Sequence, residues 1–399
     1  MEYSTGLAAP GVAGTAAVVF DVRSLWRRLA ALGDRRQRRG RRYALPLVLL
    51  LIVLAKLSGE DRPSGIADWV KHRRAQLAQA LGTGLARAPH HNTYRRVLAG
   101  AVAPGEVEAA VSAFFRDLPQ VGASVLVSID GKTVRGTIDA EDPQGAHLLV
   151  AYLPQEGIVL LQVAAGHKTN EIGVAGALLQ GLDLRGKIVA ADALHTQRAL
   201  SAQILTAGGE YLWLAKDNQP TLRADIEELF TADDRTVEGG HLPHDFRTAR
   251  QVDKGHGRRE ARQITVSSEL KGYSDWPGLE QVFRLQRERS EKKSGKHERG
   301  IVYGLTSLTS DEASPARLLE LTRAYWGIEN GLHYRRDVTF HEDATRLTQG
   351  HAGRVMASLN NLVIGLLRLA GFTNLAAARR YCGANLTNAL EILSPAHRT

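Results

Sequence analysis

Ser124-Val-Leu-Val-Ser-Ile-Asp130-Gly131-Lys132 (SVLVSIDGK) is the stretch on which the fold turns. Its apolar, β-branched run is too short for a helix and ends in Asp-Gly, which predicts a buried strand over 124–129 followed by a turn. Downstream, His147–Tyr152 and Ile158–Ala164 form two more strand candidates, joined as a hairpin across Pro154–Gly157. Ile172–Leu182 has helical spacing. Lys187–Ala191 (KIVAA) is a strand ending at Asp192, with a helix from about Thr196 to Ala207. Tyr211–Ala215 (YLWLA) is a fifth strand, and Leu222–Phe230 begins another helix. The order β-β-β-α-β-α-β-α predicts an α/β protein with a mixed sheet flanked by helices.

On either side the pattern changes. Residues 1–20 are small and apolar without periodicity, the signature of a disordered tail. Between Asp21 and Arg42 lie nine Arg and two Asp, a density that suits either a solvated loop or contact with phosphates. Helical segments then follow at 45–57, Ser64–Ala80, Asn92–Leu98 and Gly105–Asp117, with Pro63, Pro89 and Pro104 near the breaks. Beyond the core, Arg262–Val266, Gln281–Arg287 and Gly300–Leu305 read as strands between charged turns. Helical periodicity resumes over Pro315–Asp337, Ala352–Leu369 and after Asn374. The expected organisation is a tail (1–20), a helical N-terminal domain (21–118) and a core (119–231 and 316–375). A β-rich insertion (232–315) interrupts the core before its late helix, and a helical tail (376–399) ends the chain.

The 399 residues carry 51 Lys and Arg against 42 Asp and Glu, a net charge of +9 and a pI near 9.7. Such a balance attracts polyanions, nucleic acid first and anionic membrane second. Cys382 is the one cysteine, so an intrachain disulfide and a thiolate zinc site are both excluded. The fourteen histidines do not form a zinc pattern either. Leu45–Leu57 (LPLVLLLIVLAKL) is almost wholly apolar, but a bilayer span needs about 20 residues and Lys56 interrupts the run. A buried helix and a cytoplasmic protein without membrane contact are expected.

The chemistry gathers on three acids. Asp130 and Asp192 end predicted strands one and four, where ligands of open α/β sheets collect. Glu329 lies in a late helix within YWGIENGLHYRRDVTFHED (325–343). Carboxylates converging there would form a hard oxygen site for Mg2+ or Mn2+, two ions being suited to phosphodiester chemistry. Each acid also has a plainer reading. Asp130 could be a turn residue, Asp192 a helix N-cap, and Glu329 an exposed partner of His333 or Arg336.

Taken together, the motifs resemble the DDE transposases of bacterial insertion sequences, in the branch of the H-repeat-associated proteins of Rhs elements. Asp130-Gly131-Lys132 matches that branch's first segment, and Asp192-Ala193 with Gln197 its second. Trp326, Ile328, Glu329, Asn330, His333, Asp337, Val338, Phe340, Glu342 and Asp343 match the third. Gly59, Ala67 and the Pro89–Arg96 stretch look like the branch's associated N-terminal domain, so the resemblance runs from about 34 to 395. It implies a ribonuclease H-like core and metal-dependent DNA cleavage and strand transfer at terminal inverted repeats. It also implies double-stranded DNA as partner and a homodimer on that DNA. Thr322 and Tyr325 stand where the wider superfamily has Tyr and Arg, and Tyr334 where the branch has Trp, while the basic residue seven positions after the glutamate is present as Arg336.

Further candidates follow. His333, one turn after Glu329, could orient it, contact phosphate or pack. Asp337 is a rival third acid, with Glu342 and Asp343 behind it. Lys132, Arg135 and Arg336 are candidate DNA contacts, as are Arg38, Arg39, Arg41 and Arg42. The loops 216–219 and 256–260 could face DNA or only shape turns. Related transposases stack an insertion-domain aromatic on a flipped base, which nominates Trp276. Trp213, Trp326 and Cys382 are assigned to the core. Two other functions stay open: a DNA-binding remnant without catalysis, and a metal-dependent nuclease that promotes recombination.

Overall fold

In a computed structural model the chain is described over residues 22–118, 121–166, 171–232, 245–255, 258–291 and 295–393. The 1–20 segment and His256-Gly257 lie outside the described residues.

The N-terminal helices are α1 (Val22–Ala30), α2 (Leu45–Leu57), α3 (Pro63–His72), α4 (Arg74–Ala80), α5 (His91–Arg96) and α6 (Pro104–Arg116). Every residue of α2 but Pro46 is buried, as an apolar helix in a protein interior must be. Its neighbours include α1 and α3 but also three C-terminal helices, α11 (Ala352–Leu369), α12 (Leu375–Ala384) and α13 (Leu386–Leu393). One apolar core therefore unites both ends of the chain. Buried charges cross the same boundary: Asp61 takes Lys56 Nζ at 3.0 Å and Arg379 Nη2 at 2.7 Å. Among the described residues no single helix is long and apolar enough to cross a membrane.

The central strands are β1 (Leu126–Val134), β2 (Ala146–Leu153), β3 (Ile158–Gly166), β4 (Ile188–Ala191) and β5 (Glu210–Ala215). Three helices follow the last of the meander strands in turn: α7 (Glu171–Gln180), α8 (Arg198–Thr206) and α9 (Pro220–Ala232). β1–β3 form an antiparallel meander, and β4 and β5 run parallel to β1, giving the order 3-2-1-4-5. This is the ribonuclease H-like arrangement expected from the motifs. β1 does not turn at Asp130-Gly131. It pairs with β2 as far as Val134, so the ladder rather than the Asp-Gly dipeptide decides the local conformation.

After α9 come β6 (Arg247–Gly255), β7 (Arg258–Ser267), β8 (Gln281–Glu291) and β9 (His297–Thr306). β9 pairs antiparallel with β5, so these strands extend the same sheet to nine among the described residues, ordered 3-2-1-4-5-9-8-7-6. The open edge of β5 explains this, because its backbone groups need partners. β6 (RTARQVDKG) is polar on both faces and gave no sequence signal. Gly304 of β9 sits where a Cβ would come within 2.2 Å of the Phe283 ring and 2.4 Å of the Trp213 carbonyl oxygen. Only glycine lets the two halves of the sheet close together there.

Alternation along β1 and β4 sets the two faces. Leu126, Ile188 and Ala190 join the core shared with α10 (Pro315–Tyr325) and α11. Val127, Ile129, Val189 and Ala191 face α7 and α8.

Candidate active site

The parity of β1 and β4 places Asp130 and Asp192. Ile129 pairs with Ala191 across adjacent parallel strands, so each aspartate is the next residue, and both follow the parity of the α10–α11 face. Asp130 accepts its own neighbour's amide, Gly131 N to Oδ1 at 2.9 Å, and Asp192 accepts Leu194 N at 3.0 Å. These local bonds fix both side chains at the carboxyl end of the sheet.

Glu329 arrives from the helical stretch after α10. That stretch widens into π turns at Glu329–His333 and Arg335–Thr339, a departure from α geometry common at functional sites. It lies close on β2: a Cβ at Gly331 would fall 2.5 Å from the Tyr152 hydroxyl. Glu329 is exposed, while His333, one turn later, is buried and sets Nε2 3.0 Å from Asp130 Oδ2. The imidazole thus ties the late helix to the first strand.

The field of the three acids meets at Tyr325. Its phenol is held far above the ordinary tyrosine range, first by burial and then by the charges of Asp130, Asp192 and Glu329. Asp192 is likewise held above the ordinary carboxylate range. Burial dominates, His195 opposes it, and Asp130 and Glu171 add to it. Among the described residues neither Asp192 nor Glu329 forms an ion pair with Lys or Arg. Carboxylates are a donor set that suits a hard divalent cation, but these three do not bring their oxygens within 4.8 Å of one another, and Asp130 already has His333 as a partner.

A second acidic group contrasts with it. Asp337, Glu342 and Asp343 bring carboxylate oxygens within 4.8 Å of one another. Here the cations are built in. Lys132 Nζ stands 2.6 Å from Asp337 and 3.7 Å from Asp343, and Arg336 Nη2 2.8 Å from Glu342. The rival third acid is thus engaged by a lysine, and this group braces β1 against the late helix. His341, with φ at 49°, turns the chain so that Glu342 folds back under Arg336.

Several candidate DNA contacts lie elsewhere than expected. Arg336 is fully buried, its Nε donating to both Glu342 oxygens at 3.0 Å, so it does not reach DNA. Trp276 is buried, its Nε1 donating to Ser201 Oγ at 3.2 Å, and it has no free face for a base. Apolar packing under α8 captured it. Lys132 is buried among carboxylates. Arg135 is exposed at the rim of an open cavity of about 370 Å3 shared with Glu329 and His333. Arg38, Arg39, Arg41 and Arg42 are exposed, although Arg41 is spent on the Asp34 and Arg36 carbonyls. Asn218 and Gln219 bind backbone carbonyls of the 193–196 turn and shape the site from behind.

Two features escaped the sequence reading. Trp326, assigned to the core, is 39% exposed with the Arg287 guanidinium 5.3 Å above its ring. It borders a groove of about 790 Å3 rich in arginine, including Arg258, Arg262, Arg287, Arg289, Arg299 and Arg323. Arg262 lies directly opposite Arg287 across β7 and β8, a like-charge pair that Glu260 bridges. The second is Glu171, the one charged residue of α7, buried against β1. Its signal was a lone glutamate opening an otherwise apolar helix.

The comparisons with known proteins agree with this fold. Residues 122–366 match the family model described as Transposase DDE domain, and residues 26–115 that described as DDE_Tnp_1-associated. The chain belongs to the DDE transposase family. YbfL of Escherichia coli (strain K12) is 28% identical over 87% of this chain and 91% of its own length. YncI of Escherichia coli O157:H7, which carries transposase in its name, is 29% identical over 88% of each chain. YhhI of strain K12, whose name adds H repeat-associated, is 28% identical over 87% of this chain and 91% of its own.

Proposed function

We propose that the chain cuts and rejoins DNA at the terminal inverted repeats of its own insertion sequence, with Mg2+ or Mn2+ held by Asp130, Asp192 and Glu329. The observation that supports this reading is the register of β1 on β4, in which Asp130 and Asp192 each follow one of a pair of facing residues, while Glu329 and His333 line an open cavity with Gly131. Two bound ions would activate water or a 3′-hydroxyl and stabilise the leaving oxygen. The chain's own groups do the rest. His333 orients Asp130 through Nε2, and the bonds from Gly131 N and Leu194 N hold the two aspartates. Arg135 stands at the cavity rim to meet a phosphate.

The arginine groove beside Trp326 supports double-stranded DNA as the partner, because phosphates relieve the facing guanidiniums. Transposition joins two element ends, so a homodimer assembled on DNA, at the nucleoid in the cytoplasm, belongs to the same reading.

The test is cleavage of DNA carrying the gene's own flanks in Mg2+ or Mn2+, with EDTA as the blank. Asp192→Asn and Glu329→Gln are expected to abolish cutting at a defined end while Asp337→Asn retains it. Binding without cleavage in either metal overturns the reading in favour of a DNA-binding protein. Cleavage that survives Glu329→Gln but not Asp337→Asn replaces the third acid.

A further inference from the structure

Beneath the site, on the α7 face of the sheet, a carboxylate and two imidazoles lie buried together, and the chemistry above does not use them. Glu171 opens α7 with its side chain 5% exposed. Its Oε1 lies 2.6 Å from His147 Nε2, and its Oε2 lies 3.4 Å from His195 Nε2. His147 is on β2, directly opposite Thr133 of β1, and its Nδ1 is 2.8 Å from the Thr133 hydroxyl. His195 is fully buried in the turn that follows Asp192. Glu171 thereby joins four elements: β1, β2, α7 and the turn after β4.

The carboxylate also touches the strand itself. A Cβ on Gly131 would lie 2.6 Å from Glu171 Cδ, well inside any real contact. A side chain after Asp130 would therefore displace the Glu171 carboxylate below it. Burial alone would push the Glu171 carboxyl up, but the two histidines outweigh it and bring it down to about 2. An ionised group placed so deep is held by its partners and holds them in return.

We propose that Glu171 is a positioning residue for DNA cleavage, setting the separation of Asp130 and Asp192 by bracing Gly131 on one side and the His195 turn on the other. This rests on the reading of the two aspartates as metal ligands. Partners behind a ligand set fix its geometry, and their loss commonly weakens metal binding about 10- to 100-fold.

The experiment titrates Mn2+ into the full chain without DNA, followed by electron paramagnetic resonance, for wild type, Glu171→Gln, Gly131→Ala and Asp192→Asn. Thermal unfolding in EDTA reports the folded fraction separately. Glu171→Gln is expected to bind Mn2+ about 10- to 100-fold more weakly while remaining folded. Gly131→Ala, which displaces the carboxylate without removing it, is expected to do the same and to recover in Gly131→Ala/Glu171→Asp. A merely structural glutamate would lower the unfolding temperature and leave the affinity of the folded protein unchanged. If Glu171→Gln does not fold, Gly131→Ala carries the test. Wild-type affinity in the folded variants, with binding lost in Asp192→Asn, overturns the positioning role and leaves the metal site standing. Wild-type affinity in Asp192→Asn overturns the metal site itself.

Discussion

His333 Nε2 stands 3.0 Å from Asp130 Oδ2, joining residues that are 203 positions apart in the chain. The late helix reaches the first strand through this contact, one turn after Glu329. Replacing His333 with alanine is expected to slow single-turnover cleavage about 10- to 100-fold with DNA affinity unchanged. An unaltered rate would show that the imidazole only packs.

The fully buried Arg336 guanidinium and Glu342 carboxylate form a structural pair. Removing either charge strands the other, which costs about 3–5 kcal/mol. Arg336→Met and Glu342→Gln should each lower the urea midpoint strongly, and the double variant should lose much less than their sum. The salt dependence of DNA binding should not change in folded Arg336→Met. A shallower slope would return Arg336 to the DNA surface.

Trp326 and Trp276 should separate cleanly. Trp326→Ala and Arg287→Ala are expected to weaken DNA binding with little loss of stability. The arginine change should also reduce the log–log salt slope by about 0.9 for each phosphate that is no longer neutralised. Trp276→Ala should instead destabilise the fold by about 3–5 kcal/mol. The comparison is read from filter binding and urea unfolding on the same preparations.

Acid should act on Asp192 and Glu171 in opposite directions. Asp192 is raised in the fold, so its contribution is present below its unfolded pKa and is lost as pH rises through its folded pKa. In EDTA at neutral pH, Asp192→Asn is therefore expected to be more stable than wild type, the gap closing as pH falls. Glu171 is lowered from 4.5 to about 2, so its contribution is present above 4.5 and is lost as pH falls through 2. Glu171→Gln should flatten that acid limb. Matching limbs in variant and wild type would show that the cluster is not ionised.

Much of the core was legible because alternation and strand ends are local properties. The apolar strands around Asp130 and Asp192 announced themselves, and parity did the rest. Partners in space were not legible. Trp276 and Trp326 look alike in sequence, and only packing under α8 makes one buried and the other exposed. Arg336 falls at the spacing of a DNA contact, yet Glu342 folds back to claim it. β6 stayed hidden because a strand that is polar on both faces has no period to read. Glu171 precedes an apolar helix without any motif, and its meaning depends on Gly131 meeting it across the sheet.

The unbroken ladder from β3 to β6 has a mechanical consequence. β5 is bonded to β4 through Ile188–Ala191 and to β9 through Tyr303–Thr306. The arginine-bearing arm is therefore an outrigger of the sheet and cannot swing as a separate body without breaking that seam. On the proposed reading, DNA pulling on the arm would exert a torque, and the first element to feel it after β5 would be β4, whose last residue precedes Asp192. Grip on DNA and alignment of the acids would then be two ends of one lever.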